Sequence, residues 1–183
     1  MVKGALPVGL VVVALLAGCG GGGGGSSAST TSAADWATEY CSDAATWVSA
    51  LQSARDSLKN NNGSTSAQDA VQSVSLATNT FTIAMGRVGQ PDTPNGAAAE
   101  TAASELGKNV QGRVARASAA VQTNNSSVTP AQQAAVARKQ ATASIAAISS
   151  TTTQLEQSDP QLAAAMKTSS DCATLKADLA KTG

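Results

Sequence analysis

The stretch ADWATEYCSDAATWVSALQSARDSLK, residues 34–59, decides the fold class. Trp36, Tyr40, Trp47, Leu51, Ala54 and Leu58 recur in it at spacings of three, four or seven. Those spacings trace one face of a helix with 3.6 residues per turn. Ser32, followed three residues later by Asp35, has the form of a capping-box variant at the start. Asn60-Asn61-Asn62-Gly63 ends the pattern with turn formers.

The same period continues outward along the chain. A second helix is expected from Ser66 to Met85, with Ser66 and Asp69 as its start signal. Ala67, Ala70, Val74, Ala77, Phe81, Ala84 and Val88 form its apolar stripe. The segment from Gly86 to Gly96, holding Gly89, Pro91 and Pro94, reads as a loop. A third helix spans Ala97 to Val121 on Ala99, Ala103, Leu106, Val110, Val114, Ala117 and Val121. Gly107 and Gly112 weaken it by about 1 kcal/mol each relative to alanine.

After a polar turn at Thr123–Val128, Thr129-Pro130-Ala131-Gln132 restarts a helix: threonine at the N-cap, proline at the first position, glutamine at the third. This fourth helix runs to Gln157, with Val136, Ala143, Ala147, Ile148 and Leu155 near one face. Asp159-Pro160 repeats the start signal for a short helix to Lys167. A last helical piece covers Asp171–Ala180. The expected fold is all-α: an up-down-up-down bundle with a short C-terminal helical extension. Its core is alanine-rich, so helices approach closely and each residue buries little area.

The N-terminal segment carries an address. Lys3 and the amino terminus supply positive charge, and an apolar run follows from Ala5 to Ala17, broken by Pro7 and Gly9. At about thirteen residues it suits a signal-peptide core and is short of the ~20 a spanning helix needs. It ends Leu16-Ala17-Gly18-Cys19, which resembles the lipobox of bacterial lipoproteins. The resemblance implies that the Cys19 thiol takes a diacylglyceryl group and that cleavage follows on its amino side. The acyl chains, of the palmitate kind, then anchor the mature protein, and two chains hold stably where one does not. The resemblance covers the signal region alone. Residues 1–18 are therefore expected as signal peptide, 19–33 as a lipidated Gly/Ser-rich tether, and 34–183 as the helical bundle domain. Gly20–Gly25 and the small polar residues after them make that tether flexible. They lack the Gly-Lys-Ser/Thr of a phosphate-binding loop.

Of three cysteines, the lipid takes Cys19 and leaves Cys41 and Cys172. An exported compartment permits disulfides. One bridge between these two is the favoured reading; two buried free thiols is the other. In an up-down-up-down bundle the end of the fourth helix lies beside the start of the first, so both cysteines belong at the end where the tether enters. The loop at Gly86–Gly96 belongs there too, and the turns at Asn60–Thr65 and Thr123–Val128 at the far end.

Twelve basic and twelve acidic residues give no net charge, hence no long-range attraction to nucleic acid. Histidine is absent, which removes an imidazole base and an ordinary zinc site. No serine stands three residues before a lysine, and no Gly-x-Ser-x-Gly elbow occurs. The expectation is a protein that is not an enzyme and holds no cofactor or metal. Asp35, Glu39 and Asp43, at i, i+4 and i+8, read as a weak cation site or as a solvated acidic face favoured by the helix dipole. Arg113, Arg116, Arg138 and Lys139 read as a patch for a partner or anionic glycan, or as ordinary surface. Trp36, Tyr40, Trp47 and Phe81 read as ligand or partner contacts, or as core.

Two functions follow as expectations. The first is a lipoprotein on the extracytoplasmic face of the cell membrane, a non-catalytic binding or adaptor module for an envelope protein or wall component. It calls for an exposed apolar or charged helix face. The second is a carrier of a small apolar ligand inside the bundle. It calls for a dry cavity beyond ~300 Å³ near Trp47 or Phe81.

Overall fold

A computed structural model describes residues 30–60, 64–122 and 128–181. Cys19, the signal segment and the glycine tract lie outside the described residues, as do 61–63 and 123–127 in the two expected far turns. The described chain forms α1 (Ala33–Asn60), α2 (Ser64–Arg87), α3 (Gly96–Gln122), α4 (Pro130–Ser158), α5 (Pro160–Thr168) and α6 (Ser170–Ala180). Helices α1 to α4 make the up-down-up-down bundle, and α5 and α6 are the extension.

Helix starts follow the polar side chains that can satisfy free amides. Before α1, the Ser32 hydroxyl accepts from the Asp35 amide at 3.1 Å and donates to the Asp35 carboxylate at 2.6 Å. Before α4, the Thr129 hydroxyl accepts from the Gln132 amide at 3.3 Å, and the Gln132 side-chain oxygen accepts from the Thr129 amide at 2.7 Å. This is the reciprocal capping box that the sequence motif implied. Ser169 caps α6. At the second helix the expectation is corrected: α2 already begins at Ser64, so Ser66 lies inside the helix rather than ahead of it.

The hydrophobic stripe of α3 is buried as expected, together with Gly107. A methyl at Gly107 would stand 3.4 Å from Thr82 Cα and from Met85 Cβ, so the glycine that weakens α3 also lets α2 pack close to its backbone. Two other stripes are borne out in part: Ala67, Ala70, Val74 and Phe81 of α2, Val88 just after it, and Ile148 and Leu155 of α4 are buried as expected. On α2, Val71, Thr78 and Met85 are buried, whereas Ala77 and Ala84 are half-buried. On α4, Gln133, Ser144 and Thr152 are buried and Val136 is exposed. Alanine burial stabilises too little to fix the phase of a helix, and Thr78 and Thr152, which meet Trp47 and Tyr40 inside, help to set it.

Cross-bundle contacts fix the register. Trp36 of α1 bonds to Gly89 in the loop after α2, Trp47 of α1 bonds to Thr78 within α2, and Tyr40 of α1 bonds to Thr152 of α4. The end carrying the start of α1 also carries the 86–96 loop, as expected. There the Thr31 amide donates to Gln90 O at 3.0 Å and the Asp92 amide donates to Thr31 O at 2.8 Å, an isolated parallel bridge. Gly89 turns the loop with φ 69°, a region that disfavours other residues.

The extension folds back on the bundle. Cys41 and Cys172 are joined as a disulfide, with Cα atoms 4.8 Å apart. Gln52 donates to Asp178 O at 2.7 Å, and Lys176 pairs with Glu156 at 2.6 Å. Helix α6 thus runs parallel to α1 and beside α4, burying Cys172 and Leu175.

Asp159 joins the pieces at the end that carries the start of α1. One carboxylate oxygen caps α5, accepting from the Gln161 and Leu162 amides at 3.0 and 3.1 Å. The other accepts from the Asn95 amide of the 86–96 loop at 3.2 Å. Burial alone would raise its pKa; the Thr93 hydroxyl beside it and the three amides outweigh that and hold the carboxyl below its ordinary value. Asp159 therefore stabilises the fold fully above the unfolded carboxyl pKa of ~3.9, and that contribution fades as pH falls through its lower native pKa. Asp43 shifts the opposite way, raised by partial burial and then by the Glu39 charge, so the useful readout is a difference between variants. Urea unfolding is expected to show Asp159→Asn less stable by about 1–2 kcal/mol at pH 7, with the gap narrowing below pH ~4.

Candidate functional site

The residues singled out in the sequence fall into three places. Trp36, Tyr40, Trp47 and Phe81 are all in the core. Trp36 stacks on Tyr40 with ring centroids 5.2 Å apart, and Trp47 on Phe81 at 5.3 Å. Their polar tips have partners within the protein. The Trp36 indole N–H donates to Gly89 O at 2.9 Å, the Trp47 N–H donates to Thr78 Oγ1 at 2.9 Å, and the Tyr40 hydroxyl bonds to Thr152 Oγ1 at 3.0 Å. Burial raises the Tyr40 pKa against the Thr152 bond, with the Glu156 charge adding to the rise, so the phenol is neutral. These side chains are spent on packing.

Near them no large interior space opens among the described residues. The interior cavity lies farther along the bundle, about 30 Å³, lined by Leu51, Leu58, Val71, Val114 and Ala137, with Arg55 and Gln140 in its wall. It has room for about one water molecule, an order of magnitude below a small-ligand pocket.

The charged groups lie outside. Asp35 is tied to Ser32 at the α1 cap. Glu39 and Asp43 form one wall of an open groove of about 430 Å³ between α1 and α2, facing Thr80, Ile83 and Arg87. No group of three potential metal ligands converges among the described residues. Arg116 and Lys139 are exposed and Arg113 and Arg138 half-buried. None of these four makes an ion pair among the described residues, and nothing gathers them into one site.

Two apolar side chains that the sequence reading left unmentioned stand out of the core. Leu76 is 65% exposed and Ile83 is 53% exposed, both on the outer side of α2. Their spacing of seven, opposite the buried Val74–Phe81 face, is a signal present in the sequence. A second groove of about 430 Å³, between α2 and α3, is lined by Gln68, Gln72, Ser75, Ser118 and Gln122 over Val71 and Val121. The arrangement offers open surface along the helices of the described residues.

No known family model, curated protein or solved structure matches the chain.

The core reading of the aromatic residues is testable. Thr78 accepts from Trp47 and donates to Val74 O at 2.7 Å. Thr78→Val strips the buried indole N–H of its acceptor, and chemical denaturation is expected to show a loss of about 1–3 kcal/mol. A ligand-contact role for Trp47 instead predicts little change in stability.

Proposed function

We propose that the chain is an exported lipoprotein, held at the extracytoplasmic face of the cell membrane by a lipid on Cys19. Its helical domain is a non-catalytic binding or adaptor module of the envelope. The observation that carries the anchoring is the pairing of Cys41 with Cys172. It leaves one unpaired cysteine in the chain, and that cysteine closes Leu16-Ala17-Gly18-Cys19 behind a short apolar run. A disulfide also suits an oxidising compartment. No helix among the described residues is long and apolar enough to cross a membrane.

The binding-module reading is supported by Leu76 and Ile83, which stand exposed on one helix face, as such a role requires. The carrier reading draws no such support from an interior cavity of about 30 Å³. The bonds of Thr31 to Gln90 and Asp92 in the loop between α2 and α3 support a tether that enters beside that loop. On an anchored protein this end faces the membrane, and the grooves along the helices stand out sideways from it.

Intact-mass analysis of the protein from its own membranes is expected to give a polypeptide beginning at Cys19 with a diacylglyceryl addition. Cys19→Ser is expected to abolish incorporation of a labelled fatty acid. A mature chain that begins at any other residue, or an unlipidated Cys19, overturns the anchoring.

A further inference from the structure

Leu76, Thr80, Ile83 and Arg87 follow one another along α2 at steps of four, three and four, so they share one stripe. Leu76 and Ile83 are the exposed leucine and isoleucine of the described residues; the others pack in or against the core. Two turns separate them, about 10 Å at 1.5 Å per residue. Ile83 and Arg87 line one side of the α1–α2 groove, whose other side carries Glu39 and Asp43. These two carboxylates are one turn apart, and neither has an ion-pair partner among the described residues. Between Ala33 and Ala54, α1 carries three acidic side chains and no basic one.

The groove sets two carboxylates on the α1 side against the single guanidinium of Arg87 on the α2 side, so an apolar ridge lies beside a rim of net negative charge. The partner surface must offer aliphatic side chains about two turns apart, flanked by Lys or Arg on the side that meets α1. That is the face of a basic amphipathic helix, which lays its apolar stripe on a groove and its cations against the acidic rim. An anionic lipid surface carries the wrong charge for Glu39 and Asp43. A second copy of the chain, presenting the same acidic α1, would set like charges together across a two-fold axis.

We propose that the α1–α2 groove and the outer stripe of α2 that continues from it dock a basic amphipathic helix of a partner protein, with Ile83 in the groove and Leu76 beyond it as the apolar seat and Glu39 and Asp43 as the charge contact. This rests on the binding-module reading and names the surface and the chemistry of its partner.

The test uses the full-length chain in mild detergent and a fluorescein-labelled 18-residue Leu/Lys amphipathic helix, with a Leu/Glu helix of the same pattern as the control. Three variants share the detergent background, so adsorption to micelles cancels between them: Glu39→Gln/Asp43→Asn, Leu76→Ser/Ile83→Ser, and Val136→Ser as an unrelated exposed site. Asp43 is half-buried and the other replaced groups are exposed, and retained thermal unfolding midpoints confirm the fold. The wild-type chain and Val136→Ser are expected to bind the Leu/Lys helix at least tenfold tighter than either double variant. The advantage over the charge variant is expected to vanish at 0.5 M salt. Equal affinity across all four proteins overturns the proposal, as does preference for the Leu/Glu helix. So does a dimer in sedimentation that Leu76→Ser/Ile83→Ser converts to monomer, because a second copy then fills the groove. Binding of the Leu/Lys helix that only Arg and Lys substitutions on α3 and α4 affect would remove this groove yet leave a binding module with another face.

Discussion

The junction of α1 with α6 is the constraint on which the rest of the structure depends. Helix α6 has eleven residues, too few to persist alone in water. It is held against α1 by the Cys41–Cys172 disulfide and the Gln52 bond to Asp178 O, and beside α4 by the Lys176–Glu156 pair. The ion pair is partly exposed and contributes little. The covalent link spans 131 positions and lowers the entropy of the unfolded chain by an amount worth about 5 kcal/mol in the loop-closure model. Against the marginal net stability of a single domain, that is a large fraction of the total. Once α6 is seated, both sides of α1 are covered. Ala37, Cys41, Ala44 and Val48 are then buried along with the aromatic face of the same helix.

Much of this architecture was legible where local chemistry decides it. Thr129 and Asp159, each followed by proline, mark two helix starts because a side-chain oxygen and a fixed φ act within one turn. The valines and leucine of α3 are strong enough to show its buried face. The faces of α2 and α4 were not legible to the same degree. There Thr78, which meets the Trp47 indole, and Thr152, which meets Tyr40, help to set the phase, and both are contacts from another helix. The direction of α6 was equally hidden, because it depends on where Gln52 and Glu156 stand in the folded bundle.

The candidate site was legible in part. The cysteine pairing followed from counting thiols. The four large aromatic residues were legible as ligand or partner contacts or as core, and only the partners of their polar tips, on other segments of the chain, decide for core. What the sequence reading passed over were Leu76 and Ile83. An apolar residue in a helix is assigned by default to the buried stripe, and α2 has enough other apolar residues to fill one. Only the placement of Val74, Thr78 and Phe81 against α1 shows that position 76 and position 83 face out.

Native-state hydrogen exchange on the full chain, compared between the wild-type protein and Cys41→Ala/Cys172→Ala, bears most directly on the claim that the covalent link seats the extension. Amides of residues 170–180 should lose nearly all protection in the variant, while those of α2 and α3 facing each other around Gly107 remain the slowest to exchange. Unchanged protection across 170–180 in the variant would contradict the account, since packing alone would then hold α6 in place.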